Sequence, residues 1–261
     1  MIRQLELIDN LVAEGRHQFT FKEAVRALRV SPTATANALR RLQEKGLIDR
    51  LTKGVYAIRP LGLLGTSAAT DDLPLAVGAA FRGIGHRIAY ATALSEHRLL
   101  SHPVRTIYVA CTRQVRIEKV SRRPLQVVIE RAKTIHLGAE QVGLSWRSTV
   151  ERALFECALR MGLVGGPEEL AEALANGAED LNPTRIHRFA TAFGARGRAA
   201  ERRLASLSHA LELPLDLDPK LEPRRPIIQL DPSDDRRKWV DERYRVAWNL
   251  DVEELRSVVA A

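Results

Sequence analysis

A serine followed by a proline, Ser31-Pro32, constrains this chain more than any other feature. The hydroxyl suits a helix N-cap, and proline suits the first helical position, where its missing N–H costs nothing. A helix predicted from there to Gly46 places Thr35, Ala38, Leu39 and Leu42 at i, i+3, i+4 and i+7, a single buried stripe. Thr33, Asn37, Arg40, Arg41 and Glu44 then face outward, and a face rich in Thr, Asn and Arg is one for hydrogen bonding.

The flanks give this helix a context. Residues 2–13 set Ile2, Leu5, Ile8 (or Leu11) and Val12 at helical spacing before Gly15. Thr20 caps a second helix over 21–28 with Ala24, Val25 and Leu28 inward, and Arg29-Val30 is a tight connection. After the third helix, Leu47 to Leu51 and Val55 to Ile58 have strand composition and flank Thr52-Lys53-Gly54, a link of hairpin length. Helix, helix, turn, helix, hairpin is the order of a winged helix-turn-helix over residues 1–59. Such a unit lays its third helix in the DNA major groove and touches nearby phosphates with the wing.

Charge agrees with that reading. The 261 residues carry 40 Lys and Arg against 32 Asp and Glu, a net of +8. Eleven of the basic and six of the acidic residues fall within 1–59, so +5 of the +8 belongs to under a quarter of the chain. Arginine supplies 33 of the 40 cations, a bias that genome composition alone can produce, so the address of the charge matters more than its size. Thr33, Asn37 and Arg40 form one exposed stripe and are assigned to base edges. Arginine pairs with guanine O6 and N7, asparagine with adenine N6 and N7. Ser31, Arg41, Arg50 and Lys53 are assigned to phosphates, Ser31 from the helix N-terminus and Lys53 from the wing.

The remaining chain has a different character. Residues 60–74 are small and turn-rich and are expected to form a connector; 75–261 are expected to form a larger mixed α/β domain rich in helices. Helices are predicted over 75–81, 89–100, 148–161, 167–177, 182–194 and about 198–211, and strands over 104–110, 125–130, 134–137, 227–230 and 244–250. Residues 213–226, with four prolines, form an extended linker, and Asp251 caps a last helix. The expected class is α+β and multidomain, a length of 261 residues being enough for one full domain and a smaller one.

Catalytic patterns are missing from the sequence. It has no GxxxxGK[ST], GxSxG or HExxH, and Gly83-Ile84-Gly85 lacks the third glycine of a dinucleotide loop. Gly65-Thr66-Ser67 with Asp71-Asp72 has the residue types of a nucleotidyltransferase site, yet lies in the turn-rich connector rather than on a strand able to hold metal ions. Ser95, Glu96 and His97 are helix neighbours that point apart and cannot form a triad, and His97 is expected to be partly buried and hydrogen-bonded. Cys111 and Cys157, without a CxxC, build neither a disulfide framework nor a thiolate metal site. No catalytic residue, metal or cofactor is expected. No apolar run approaches a membrane span and the N-terminus is charged where a signal peptide is apolar, so a cytoplasmic location is expected. Arg185, His187, Arg188, Arg196, Arg198, Arg202 and Arg203 form a second basic cluster, expected to be a solvated face, with phosphate contacts or an acidic partner as alternatives.

Residues Thr33 to Pro60 contain Asn37-Ala38-Leu39-Arg40-Arg41-Leu42, Lys45-Gly46-Leu47 and Leu51-Thr52-Lys53-Gly54-Val55-Tyr56-Ala57-Ile58. This block resembles the N-terminal domain of AbiEi-type antitoxins of type IV toxin–antitoxin systems. Ala89 to Leu99 followed by Val104 to Ala110 is similar to the opening of that family's second domain, and Ser148 to Leu154 to a later helix. The resemblance spans roughly 15–162, and nothing after about 165 matches. It implies a DNA-binding antitoxin that represses its own promoter, at inverted repeats, and counteracts a nucleotidyltransferase-like toxin encoded beside it. The alternative is a stand-alone winged-helix transcription regulator with a ligand-sensing C-terminal domain. A DNA-processing enzyme is a third class, for which the sequence offers no residues.

Overall fold

A computed structural model describes residues 2–59, 72–219 and 226–259. The chain is a mixed α+β protein of two compact units.

The first unit opens with α1 (Ile2–Ala13), β1 (Gln18–Thr20), α2 (Phe21–Leu28), α3 (Pro32–Glu44), β2 (Ile48–Thr52) and β3 (Val55–Ile58). The three strands form an antiparallel sheet in the order β1-β3-β2, with Phe19 opposite Tyr56 and Asp49 opposite Ala57. The sequence pattern missed β1, which is only three residues long. The core is Leu7, Leu11, Phe19, Ala24, Leu28, Ala38, Leu39, Leu42, Ile48, Tyr56 and Ile58, with the Phe19 and Tyr56 rings stacked 5.6 Å apart. The stripe on α1 differs from expectation: Leu7 and Leu11 are buried at i, i+4, whereas Leu5 and Val12 are exposed. Both phases have helical spacing, and only the position of the sheet and α2 selects between them.

The two units divide the chain differently from the expected boundaries at 59 and 75. The first runs to residue 83 and takes back 117–124. In it α4 (Leu73–Ala80), capped by Asp72, packs on β2, and Ser121 N donates to Leu51 O at 3.3 Å. Leu73, Ala76 and Val77 are buried on α4, which explains why this apolar helix does not behave as the start of the next domain. Residues 60–71 of the expected connector, including Gly65-Thr66-Ser67 and Asp71, lie outside the described residues.

The second unit is built on a sheet with helices. Its early elements are β4 (His86–Ile88), α5 (Tyr90–Glu96) and β5 (Ile107–Cys111). β6 (Lys119–Val120) pairs with the start of β7 (Arg123–Ile129) inside the first unit; the rest of β7 lies parallel to β5, from Ile107 opposite Leu125 to Cys111 opposite Ile129. β8 (Ala139–Val142) and β9 (Ser145–Ser148) form a hairpin, and β4 joins β5 to β9, for the order β7-β5-β4-β9-β8. The strand expected over 134–137 is instead a run of turns: Ile135 N bonds Arg131 O and Leu137 N bonds Thr134 O, so these groups are satisfied locally rather than in a ladder.

Behind the sheet, α6 (Val150–Leu159) is buried along nearly its whole length among α5, α7 (Pro167–Gly177), α8 (Pro183–Ala192) and α9 (Gly194–Ala210). Asn182 caps α8 as expected, and Thr149, one residue after the expected start, caps α6. α9 starts four residues before the expected Arg198, because Phe193 closes α8 and Gly194 (φ +63) turns the chain at once. A small sheet of β10 (Ile228–Gln229), β11 (Trp239–Asp241) and β12 (Val246–Trp248), then α10 (Val252–Val259), completes the unit. Residues 220–225 of the expected linker lie outside the described residues.

Candidate nucleic-acid interface

The N-terminus of α3 is built as its sequence implies. Ser31 is extended (φ −60, ψ 154), its Oγ accepts from Ala34 N at 3.2 Å, and Pro32 occupies the first turn. Arg29, in the left-handed region at φ 53, bends the chain between α2 and α3 and donates its N–H to Val25 O at 3.1 Å. Thr35, Ala38, Leu39 and Leu42 are the buried residues of the helix. Thr33, Asn37 and Arg40 are exposed on its other side at i, i+4 and i+7.

Side-chain contacts on this face are weak. Arg41 is exposed, and its Nε donates to Asn37 O at 3.3 Å. Arg40 Nε lies 3.6 Å from Glu44 Oε1, but both side chains are more than half exposed, so solvent screens the pair and water or a base edge can replace it at little cost. Arg50 and Lys53 are exposed on the β2–β3 hairpin. Five of the seven assigned residues therefore share α3 and its cap, and two belong to the wing.

Local contacts fix the start of α2 and the hairpin, and one of them joins the two. Gly54 turns it at φ +78, a value that disfavours side chains, and Phe21 N donates to Gly54 O at 2.8 Å, which ties the wing tip to the start of α2. Thr20 and Glu23 form a capping box, with Glu23 N on Thr20 Oγ1 at 3.2 Å and Thr20 N on Glu23 Oε2 at 2.6 Å. Burial opposes the Glu23 charge, but Thr20 and the Arg16 guanidinium outweigh it and hold the carboxyl below the usual range. At the base of the hairpin Arg59 grips Asp49 through two hydrogen bonds.

Sequence reasoning passed over Lys22, Arg26 and Arg29, all exposed on or just after α2. The i, i+4 spacing of Lys22 and Arg26 was the available signal. In a helix-turn-helix that helix crosses the phosphate backbone.

The second basic cluster divides. Arg202 and Arg203 are buried structural residues rather than part of a solvated face. Arg202 donates to Tyr244 O, Arg245 O and Pro226 O, and Arg203 to Gln229 O and Ala158 O, so the pair ties α9 to the last strands and to α6 through backbone carbonyls. Arg185 bonds Glu151 and His187 bonds Glu201, while Arg188, Arg196 and Arg198 are exposed.

His97, Asp72 and the two cysteines, all weighed for chemistry, are in structural surroundings. His97 is mostly buried and its Nε2 lies 2.8 Å from Ser148 O. Asp72 caps α4 by accepting from Leu75 N at 2.8 Å. Cys111 and Cys157 are buried, and burial pushes both thiols up, away from the reactive thiolate. Among the described residues, no group of His, Cys, Asp and Glu is placed to hold a metal ion, and no helix is long and apolar enough to cross a membrane.

Residues 6–59 match a family model described as "Transcriptional regulator, AbiEi antitoxin". No curated protein matches the sequence significantly. Among solved structures the chain is similar to the RV2827C protein from Mycobacterium tuberculosis, with a TM-score of 0.70 and 18% identity over 100% of this chain and 96% of that one. At that identity the likeness shows a shared fold, and it extends through the second unit, where the family match does not reach. Residues 6–59 are thus an N-terminal domain of the AbiEi antitoxin and transcriptional-regulator family.

Proposed function

We propose that this chain is a cytoplasmic DNA-binding antitoxin that represses its own promoter and counteracts a nucleotidyltransferase-like toxin encoded beside it. The observation that carries the DNA half is the outward face of α3, where Thr33, Asn37 and Arg40 stand exposed at one helical stripe above a fully buried opposite face. In this reading those three contact base edges in the major groove of inverted-repeat operator DNA. Ser31, Arg41, Arg50 and Lys53 contact phosphates. The second unit opposes the toxin.

Gel-shift titration against the chain's own upstream DNA at several salt concentrations tests the DNA half. About five phosphate contacts give a slope of log K on log salt near −4 to −5. Equal affinity for random DNA overturns the promoter claim. The toxin half is tested by co-expression with the adjacent nucleotidyltransferase-like gene product, and unrelieved toxicity overturns it. A second reading, a stand-alone regulator whose larger domain senses a small molecule, draws support from a basic cavity in the second unit.

A further inference from the structure

The second unit buries four charges in one cluster. Arg87 on β4 is fully buried and donates to Ser148 Oγ at 2.8 Å, to Glu130 Oε2 at 2.9 Å, and to Ile135 O and Glu156 Oε1. Arg152 on α6, also fully buried, donates Nε to Glu156 Oε1 at 2.9 Å and Nη2 to Glu130 Oε1 at 2.7 Å. Glu156 further accepts from Ser148 Oγ at 2.9 Å. Burial opposes its ionisation, but Arg87 and Arg152 outweigh that and keep its carboxyl below the usual range. Two arginines thus neutralise two carboxylates. Charges are expensive to desolvate, and apolar sets of the same volume are often as stable, so a buried ion cluster is weak evidence of a purely stabilising role.

One donor in it is unmet. Among the described residues Arg152 Nη1 is buried and has no hydrogen-bond partner. Its guanidinium carbon stands 4.6, 5.6 and 6.0 Å from the ring centroids of Phe193, Phe189 and Phe155, contacts that leave Nη1 unsatisfied as a hydrogen-bond donor. Arg152 also lines a cavity of about 240 Å³ together with Arg131, Lys133, Arg160, Phe193 and Arg196. Five basic side chains line it against two carboxylates, and both carboxylates are engaged by arginine. Arg131, Lys133, Arg160 and Arg196 are exposed at the rim. Tyr90, another lining residue, is held at φ 54 in the left-handed region, and its N–H lies 3.4 Å from Glu156 Oε2. Backbone strain of this kind in a residue other than glycine concentrates at ligand sites.

We propose that this cavity binds the phosphate group of a small phosphorylated metabolite. Arg152, which lines the cavity and keeps an unmet donor in Nη1, is the inner cation, and the four rim cations neutralise the phosphate. A guanidinium preset by Glu130 and Glu156 meets a phosphate with little loss of side-chain freedom. The volume lies below the roughly 300–1,000 Å³ of drug-sized ligand pockets and suits a phosphate with a group of sugar size.

The test is calorimetric titration of the full chain, at constant ionic strength, with inorganic phosphate, ribose 5-phosphate, ribose and a 5′-phosphorylated oligonucleotide carrying no promoter sequence. The expected result is saturable binding of ribose 5-phosphate, weaker binding of phosphate and none of ribose. A Lys133→Ser/Arg196→Ser double variant, exposed at both positions and so able to fold, loses at least tenfold in that affinity while its promoter binding stays unchanged. Arg152→Lys loses it as well, provided circular dichroism shows the native fold. No binding of ribose 5-phosphate at millimolar concentration, or equal binding by the double variant, overturns the proposal. Binding of the oligonucleotide alone overturns the small-molecule assignment. Promoter binding is read separately, so failure of the cavity and failure of the repressor reading are distinguishable.

Discussion

Arg59 holds Asp49 with two parallel hydrogen bonds, Nε to Oδ2 at 2.9 Å and Nη2 to Oδ1 at 2.8 Å, across the base of the wing. Both side chains are mostly buried, at 8% and 15% exposure, so water competes poorly with the pair. The two residues are ten positions apart and come together only because β2 and β3 form a hairpin.

Asp49→Asn keeps the shape but removes the charge and one acceptor. Hydrogen bonds to charged groups contribute about 1.5–3 kcal/mol, and a loss in that range is expected in urea unfolding of the first unit. Promoter affinity falls with it because the wing is less firmly placed. An unchanged unfolding midpoint contradicts the structural role assigned to the pair.

Arg40→Ala and Lys53→Ala separate recognition from attraction. Loss of Arg40 is expected to cost about 1–3 kcal/mol and to relax base preference at one operator position. Loss of Lys53 weakens binding to all sequences alike and flattens the salt slope by about one. Competition gel shifts with operator and random duplexes check both, and identical behaviour of the two variants refutes the division of roles.

Gly138 is a packing requirement in the second unit. It sits at φ +68, and a Cβ there would lie 2.4 Å from Phe189 Cζ and 3.0 Å from Arg152 Cβ. Gly138→Ala therefore combines backbone strain with overpacking, each costing about 1–3 kcal/mol. Thermal unfolding of the full chain is expected to show a clear drop in the midpoint. A wild-type melting curve would falsify the packing assignment.

His86 and His97 give the second unit a pH dependence. Burial is the main cause holding both rings below an ordinary histidine, with His136 adding to it at His86 and Arg147 at His97. Below about pH 6.5 the unfolded chain, with ordinary histidines, binds more protons than the folded one. Their contribution is therefore complete above that value and lost as pH falls towards the folded pKa values. Urea midpoints measured from pH 7.5 to 5 are expected to decline, and the decline to be shallower in His86→Gln. A midpoint that rises on acidification reverses the sign and contradicts the burial of the two rings.

Local signals in the sequence were enough to locate much of the fold. Ser31, Thr20 and Asn182 announce their helices because a cap is a contact across two or three residues. The α3 stripe and the β2–β3 hairpin are legible for the same reason: helical period and turn length act within a dozen positions. β4 and β9 were not legible. His86, Arg87, Ser145 and Ser148 have the composition of a loop, and they are strand residues because partners far along the chain satisfy them, as Ser148 does for Arg87 from 61 positions away and Glu156 from 69. The phase of α1 and the burial of Arg202 and Arg203 were invisible likewise, each being set by the surface packed against it.

The sequence alone determined the winged helix-turn-helix order, the exposed Thr33, Asn37 and Arg40 stripe, and the concentration of charge in residues 1–59. Tertiary structure alone decided that α4 belongs with the wing, that two arginines of the second basic cluster are buried struts, and that Arg152 keeps an unmet donor beside a basic cavity. Periodicity and caps report interactions between near neighbours. Whether a charged side chain faces water, a carbonyl or a ligand depends on groups that only the folded chain brings within 3 Å.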